Sequence, residues 1–104
     1  MMTYSVFFSP KAGVSEEALL TAAHGFLTWL QREQNLPGYR LLRVTDAASF
    51  TGLPRFQAIV DFATRAEFDA AMTFMRDANR VHEGPHARLL HSVMDFKVSF
   101  AEDA

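Results

Sequence analysis

The sequence predicts an α+β fold: a four-stranded antiparallel sheet carrying two helices on one face, with the elements in the order βαββαβ. Three observations carry this. Four segments, 2–9, 38–46, 55–63 and 92–100, alternate their side chains with the period of two that strands require. Two longer segments, 15–34 and 64–80, repeat apolar residues three and four apart, as helices with one buried face do. The chain has 104 residues, which is enough for one domain with one core, spanning 1–104, and not for two.

The first strand sets Met2, Tyr4, Val6 and Phe8 against Thr3, Ser5 and Phe7, and Pro10 and Gly13 punctuate the turn that follows. Ser15 stands at an N-cap position, with Glu16 and Glu17 complementing the dipole of the first helical turn. Leu19, Ala23, Phe26, Leu27 and Leu30 form one stripe, which Pro37-Gly38 ends. The second strand has Leu42 and Val44 on one face and Tyr39, Leu41 and Arg43 on the other. A loop over 47–54 is longer than a tight hairpin turn.

The third strand is the most regular, with Phe56, Ala58, Val60 and Phe62 on one face. Thr64-Arg65-Ala66-Glu67 has the spacing of a capping box, in which two orphan backbone donors are satisfied reciprocally. Phe68, Ala71, Met72, Met75 and Ala78 make the second helical stripe. The stretch 81–91 reads as irregular, the last strand groups Met94, Phe96, Val98 and Phe100, and 101–104 reads as a frayed tail.

Two βαβ halves joined through a hairpin give a ferredoxin-like arrangement. The apolar faces of the third and fourth strands belong under the helices, so alternation assigns Phe7, Tyr39, Leu41, Ile59 and Val93 to the open face. Arg43, Arg55, Asp61, Asp95 and Lys97 fall on the same face. Such a patch is too large to leave wet and too charged to be a plain core, and a twofold-related sheet would cover it. A homodimer is therefore expected.

Composition excludes several function classes. With 49% hydrophobic and 21% charged residues the chain is an ordinary globular one, and a formal net charge of -2 gives no reason to bind nucleic acid or an anionic membrane. There is no cysteine, which removes disulfides, thiolate metal sites and thiol nucleophiles. The N-terminus lacks the layout of a signal peptide, and no apolar run approaches the length that spans a bilayer, so the expected address is the cytoplasm.

The third strand, Arg55-Phe56-Gln57-Ala58-Ile59-Val60-Asp61-Phe62, aligns with the signature of RNA recognition motifs, which share this element order. Gln57 and Ile59 stand where that signature needs base-stacking aromatics, so no RNA partner is expected.

His82-Glu83-Gly84-Pro85-His86 matches the H-E-x-x-H zinc signature in letters only. The motif needs one continuous helix, and Gly84 and Pro85 break it, so no metal and no cofactor is expected. The histidines remain of interest. His82, His86 and His91 crowd one segment, and imidazole moves protons near neutral pH, although exposed polar residues on a connection are the simpler reading. His82 and His91 are the candidate catalytic residues, and Tyr39, Arg43, Trp29 and His86 the candidate ligand-binding ones. Arg43 would suit an anion, and Trp29 an aromatic wall. His24, at the edge of the first helical stripe, reads as a surface or interface residue.

Several short stretches also carry a resemblance. They are Lys11-Ala12-Gly13-Val14-Ser15, Gly38-Tyr39-Arg40-Leu41 with Arg43, Phe68-Asp69-Ala70-Ala71, and a histidine near the end of the second helix. In these the chain resembles the dimeric α+β barrel superfamily, and within it a small bacterial family of stand-alone proteins of unknown function, distantly similar to antibiotic-biosynthesis monooxygenases. The resemblance implies two ferredoxin-like sheets packed face to face.

Together these readings describe a cytoplasmic homodimer that binds or transforms a small anionic or aromatic molecule between helices and sheet. Any catalysis would be cofactor-independent proton chemistry or oxygenation using a histidine of 82–91. The alternative is a non-enzymatic ligand-binding or protein-interaction module.

Overall fold

The computed structural model describes residues 1–34, 36–79 and 84–104. The order is β1 (Met2–Pro10), α1 (Glu16–Gln34), β2 (Tyr39–Arg43), β3 (Phe56–Phe62), α2 (Arg65–Asn79), α3 (Pro85–Leu90) and β4 (Val93–Glu102). The strands form one sheet in the order β2-β3-β1-β4, and every neighbouring pair is antiparallel. This is the expected ferredoxin-like sheet with a third, short helix added.

Local signals set the element ends. Ser15 Oγ accepts from the Ala18 N–H at 3.1 Å, closing the first turn of α1. Thr64 Oγ1 accepts from the Glu67 N–H at 3.2 Å, and Glu67 Oε2 accepts from the Ala63 N–H at 3.1 Å, so a capping box forms at the start of α2 with its reciprocal bond shifted to the residue before the cap. Gly84, at φ 94, precedes Pro85, whose fixed φ and missing N–H suit the first turn of α3. The stretch 81–91 is thus helical over Pro85–Leu90 rather than irregular.

The core lies between one sheet face and the helices. Met2, Tyr4, Val6 and Phe8 of β1 and Phe56, Ala58, Val60 and Phe62 of β3 are buried there, against Leu19, Ala23, Phe26, Leu27 and Leu30 of α1. Phe68, Ala71 and Met75 of α2 and Leu89 of α3 complete it.

The faces of two strands differ from expectation. In β2, Tyr39 pairs with Val60, Leu41 with Ala58 and Arg43 with Phe56, which turns Tyr39, Leu41 and Arg43 toward the helices and leaves Arg40 and Leu42 on the open face. Apolar residues occur on both sides of this strand, so alternation alone could not orient it.

In β4, Lys97 pairs with Phe7 but Met94 pairs with Ser9, so one extra residue is inserted on β4. Asp95, at φ 53, lies within this β-bulge. Below the bulge the faces exchange. Val93 packs on the core, and Met94, in register with Ser9, leaves the side shared by Phe96, Val98 and Phe100.

Val98 and Phe100 are in register with the inward side of β1, and Phe100 meets the Phe68 ring of α2 edge-on at 5.4 Å, yet Phe96, Val98 and Phe100 remain 41%, 41% and 55% exposed. The tail is also more ordered than expected. β4 runs to Glu102, and the Asp103 N–H reaches the Met1 carbonyl at 3.2 Å.

Candidate functional site

Between the sheet, α1 and α3 lies a small, partly open cavity of about 20 Å³, room for one water molecule. Val6, Phe8, Phe26, Leu27, Leu89 and Phe96 supply most of its wall. The short α3 is positioned by its buried Leu89 and half-buried Leu90, both of which face this space.

Tyr4 brings the lining a side-chain hydroxyl. It is 7% exposed, and its ring stacks on Phe100 at 5.5 Å. Its hydroxyl has no hydrogen-bond partner among the described residues. Burial alone pushes the phenol up from 10.0 to about 12.

A second constellation lies on the outer side of α1, against β2. The Tyr39 hydroxyl meets His24 Nδ1 at 2.9 Å and Thr28 Oγ1 at 3.3 Å. Four residues further along β2, Arg43 pairs with Glu16, which also accepts from Arg55. Both guanidinium groups lie over the Phe56 ring, at 5.3 and 5.9 Å. An open groove beside this network is lined by Glu16, Leu20, Thr21, His24 and Arg43. These groups satisfy one another at the surface, and the carboxylate of Glu16 already occupies the two arginines.

The expected site residues therefore lie in several places. Tyr39 and Arg43 share the α1 side of β2. Trp29 packs between α1 and α2, with its ring 4.9 Å from Phe74 and 6.2 Å from Phe26. His91 is exposed and caps α3, its N–H bonding the Ala87 carbonyl at 3.0 Å. No hydrogen bond, ion pair or ring contact links Trp29 or His91 to Tyr39 or Arg43 among the described residues.

His82 lies outside the described residues, as does the side chain of His86. No cluster of three or more metal-ligating side chains occurs among the described residues.

Sequence reasoning passed over Tyr4 and the His24–Tyr39 contact. Tyr4 read only as one of four inward residues of a strand. The available signal was a phenol among Met2, Val6 and Phe8, since a buried tyrosine hydroxyl usually finds a partner.

The architecture is a ferredoxin-like α+β sheet with helices on one face, and solved structures share it. The chain is similar to the Arabidopsis thaliana protein At3g17210, with a TM-score of 0.76 and 12% identity over 100% of this chain and 96% of that one. It is also similar to a dimeric ferredoxin-like protein of unknown function from Thermobifida fusca (TM-score 0.62, 17% identity, 96% of this chain and 88% of that one). Protein Atu4242 from Agrobacterium tumefaciens matches with a TM-score of 0.62 and 13% identity, over 100% of this chain and 94% of that one. At these identities the likeness is one of fold.

More narrowly, the sequence model of the family of unknown function DUF6614 matches residues 1–102, and the chain belongs to that family. No curated protein matches the sequence. No described helix is long and apolar enough to cross a membrane.

Proposed function

We propose that this protein is a cytoplasmic homodimer in which two open sheet faces pack together and each protomer binds a compact small molecule between sheet, α1 and α3. The cavity carries the ligand half of the reading. It is mostly apolar and walled by side chains from β1, β3, β4, α1 and α3, as ligand sites commonly are. Phe96, at its edge, is 41% exposed and offers the route in. His91, which directly follows the lining residues Leu89 and Leu90, is the candidate for acid–base chemistry there.

The open face supports the pairing. Phe7, Leu42 and Ile59 are half-buried at its centre, flanked by Arg40, Lys97 and the Thr3–Asp61 hydrogen bond of 2.7 Å. The Thermobifida fusca protein of the same fold is described as dimeric. A second reading, a protein-interaction module, is favoured by the partly exposed stripe of Phe96, Val98 and Phe100 along a ten-residue edge strand.

Light scattering and a ligand-observed NMR screen of small phenols and carboxylates test the proposal together. A dimer that binds members of the screen, with contacts at Phe96 and Leu89, is the expected result. A monomer would remove the pairing. A dimer that binds nothing would leave the interaction module as the better account.

A further inference from the structure

We propose that the Tyr4 hydroxyl is the polar anchor of this cavity, donating a hydrogen bond to the carbonyl-type oxygen of a compact, uncharged, largely apolar ligand. The inference rests on the ligand-binding reading above and specifies what that site takes.

Position comes first. Tyr4 lies in β1, held between β3 and β4 through its pairs with Val60 and Phe100. Strand pairing on both sides and the ring stack on Phe100 fix the phenol in place. Tyr4 is 7% exposed, and no described residue accepts the proton of its hydroxyl. A buried donor with no acceptor is expensive, and native proteins leave few of them. Whatever enters the cavity is therefore favoured if it brings an acceptor.

The remaining lining sets the rest of the ligand. Val6, Phe8, Phe26, Leu27, Leu89 and Phe96 present hydrocarbon and aromatic surface, and no charged side chain lines the cavity among the described residues. A carboxylate or ammonium would lose its hydration there without a counter-charge. Because burial raises the phenol to about 12, it stays protonated at neutral pH and acts as donor. An anionic ligand, the class that Arg43 suggests in the sequence, is not what this cavity favours.

Size is set by which walls can yield. The space of about 20 Å³ holds one water as it stands. Phe8 is 1% exposed and lies in the packed interior. Phe96, on the edge strand, and Leu90, on a six-residue helix, both have solvent behind them. Outward movement of these two would open room for a single small ring.

The test uses the full chain and three probes of one shape: acetophenone, ethylbenzene and benzoate. Dissociation constants are measured by NMR titration for the wild type and for Tyr4→Phe. The wild type should bind acetophenone roughly five- to tenfold more tightly than ethylbenzene, the span of one neutral hydrogen bond. Benzoate should bind most weakly. Tyr4→Phe should erase the acetophenone advantage and leave ethylbenzene unchanged.

Removing a hydroxyl that has no partner among the described residues should not unfold the protein, and the wild-type comparison of probes needs no variant. If ethylbenzene binds and acetophenone gains nothing, the cavity stands but Tyr4 is not an anchor and serves a trapped water only. If acetophenone keeps its advantage in Tyr4→Phe, the donor lies elsewhere and the inference is wrong. If no probe binds either protein, the ligand-binding reading itself fails and this inference with it.

Discussion

Replacing Ile59 with lysine should separate the proposed dimer without unfolding the protomer. Ile59 lies on β3, an interior strand, with its side chain in the row that Arg40 and Ser5 share on the open face. Full burial of an isoleucine is worth about 1.5–3 kcal/mol, and Ile59 is already half-buried, so pairing would gain about 1 kcal/mol per protomer. Twofold symmetry doubles the loss to about 2 kcal/mol. The variant also forces two ammonium groups into a closed apolar face, at a cost of several kcal/mol. Together they weaken the pair by about 4 kcal/mol or more, roughly a thousandfold in Kd.

Sedimentation velocity at about 10 μM, above the Kd of a stable pair, should show a wild-type dimer and a variant monomer. Circular dichroism should show an unchanged fold. Leu41→Lys is the contrast. Leu41 packs against the core, so this change should lower the melting temperature instead of acting selectively on the pair. An Ile59→Lys protein that dimerises like the wild type would refute pairing through this face and move attention to the β4 stripe.

Other perturbations probe features that the structure makes specific. Thr64→Ala removes the acceptor for the Glu67 N–H and should cost about 1 kcal/mol, or roughly 5 °C in melting temperature. Asp95→Val places a β-branched residue at φ 53 in the bulge and should cost about 1–2 kcal/mol in urea denaturation, whereas Asp95→Gly should be neutral or stabilising. Tyr4 gives a pH signature. Its phenol has an ordinary value of 10.0 and is raised to about 12 in the fold, so the stability it carries is complete below pH 10.0 and is lost as pH rises through about 12. At about 1.4 kcal/mol per pH unit that interval is worth roughly 3 kcal/mol. The loss should be absent in Tyr4→Phe when the two proteins are denatured in parallel across the alkaline range.

The backbone plan was legible because each element carried redundant signals. Periodicity, caps and breakers agreed for α1, α2, β1 and β3, and their observed ends fall within a residue of expectation. Orientation was less legible where the signals conflicted. In β2, Tyr39 and Leu41 compete with Leu42 for the core, and only the pairing with β3 decides between them. In β4 the pattern Met94, Phe96, Val98, Phe100 looks unbroken, but one residue at φ 53 shifts the register and reverses everything before it. A bulge needs no glycine when aspartate can take the left-handed conformation, so the sequence shows no punctuation there.

The chemistry was harder to read, and for a different reason. Histidine, arginine and tryptophan attract attention because of what they can do, yet exposed ones do it only if the fold gathers them. Here Arg43 is held by Glu16, Tyr39 by His24, and Trp29 by Phe74. Each contact satisfies the group locally and leaves it less to offer a ligand. Tyr4 is the opposite case. It sits at an inward position where any apolar residue would pack, and its hydroxyl bonds no described residue of the core it occupies. A buried polar atom without a partner among the described residues is a stronger pointer to binding than a cluster of reactive groups already paired with each other. That contrast is the reason the proposed ligand site is the cavity beneath α3 rather than the groove beside β2.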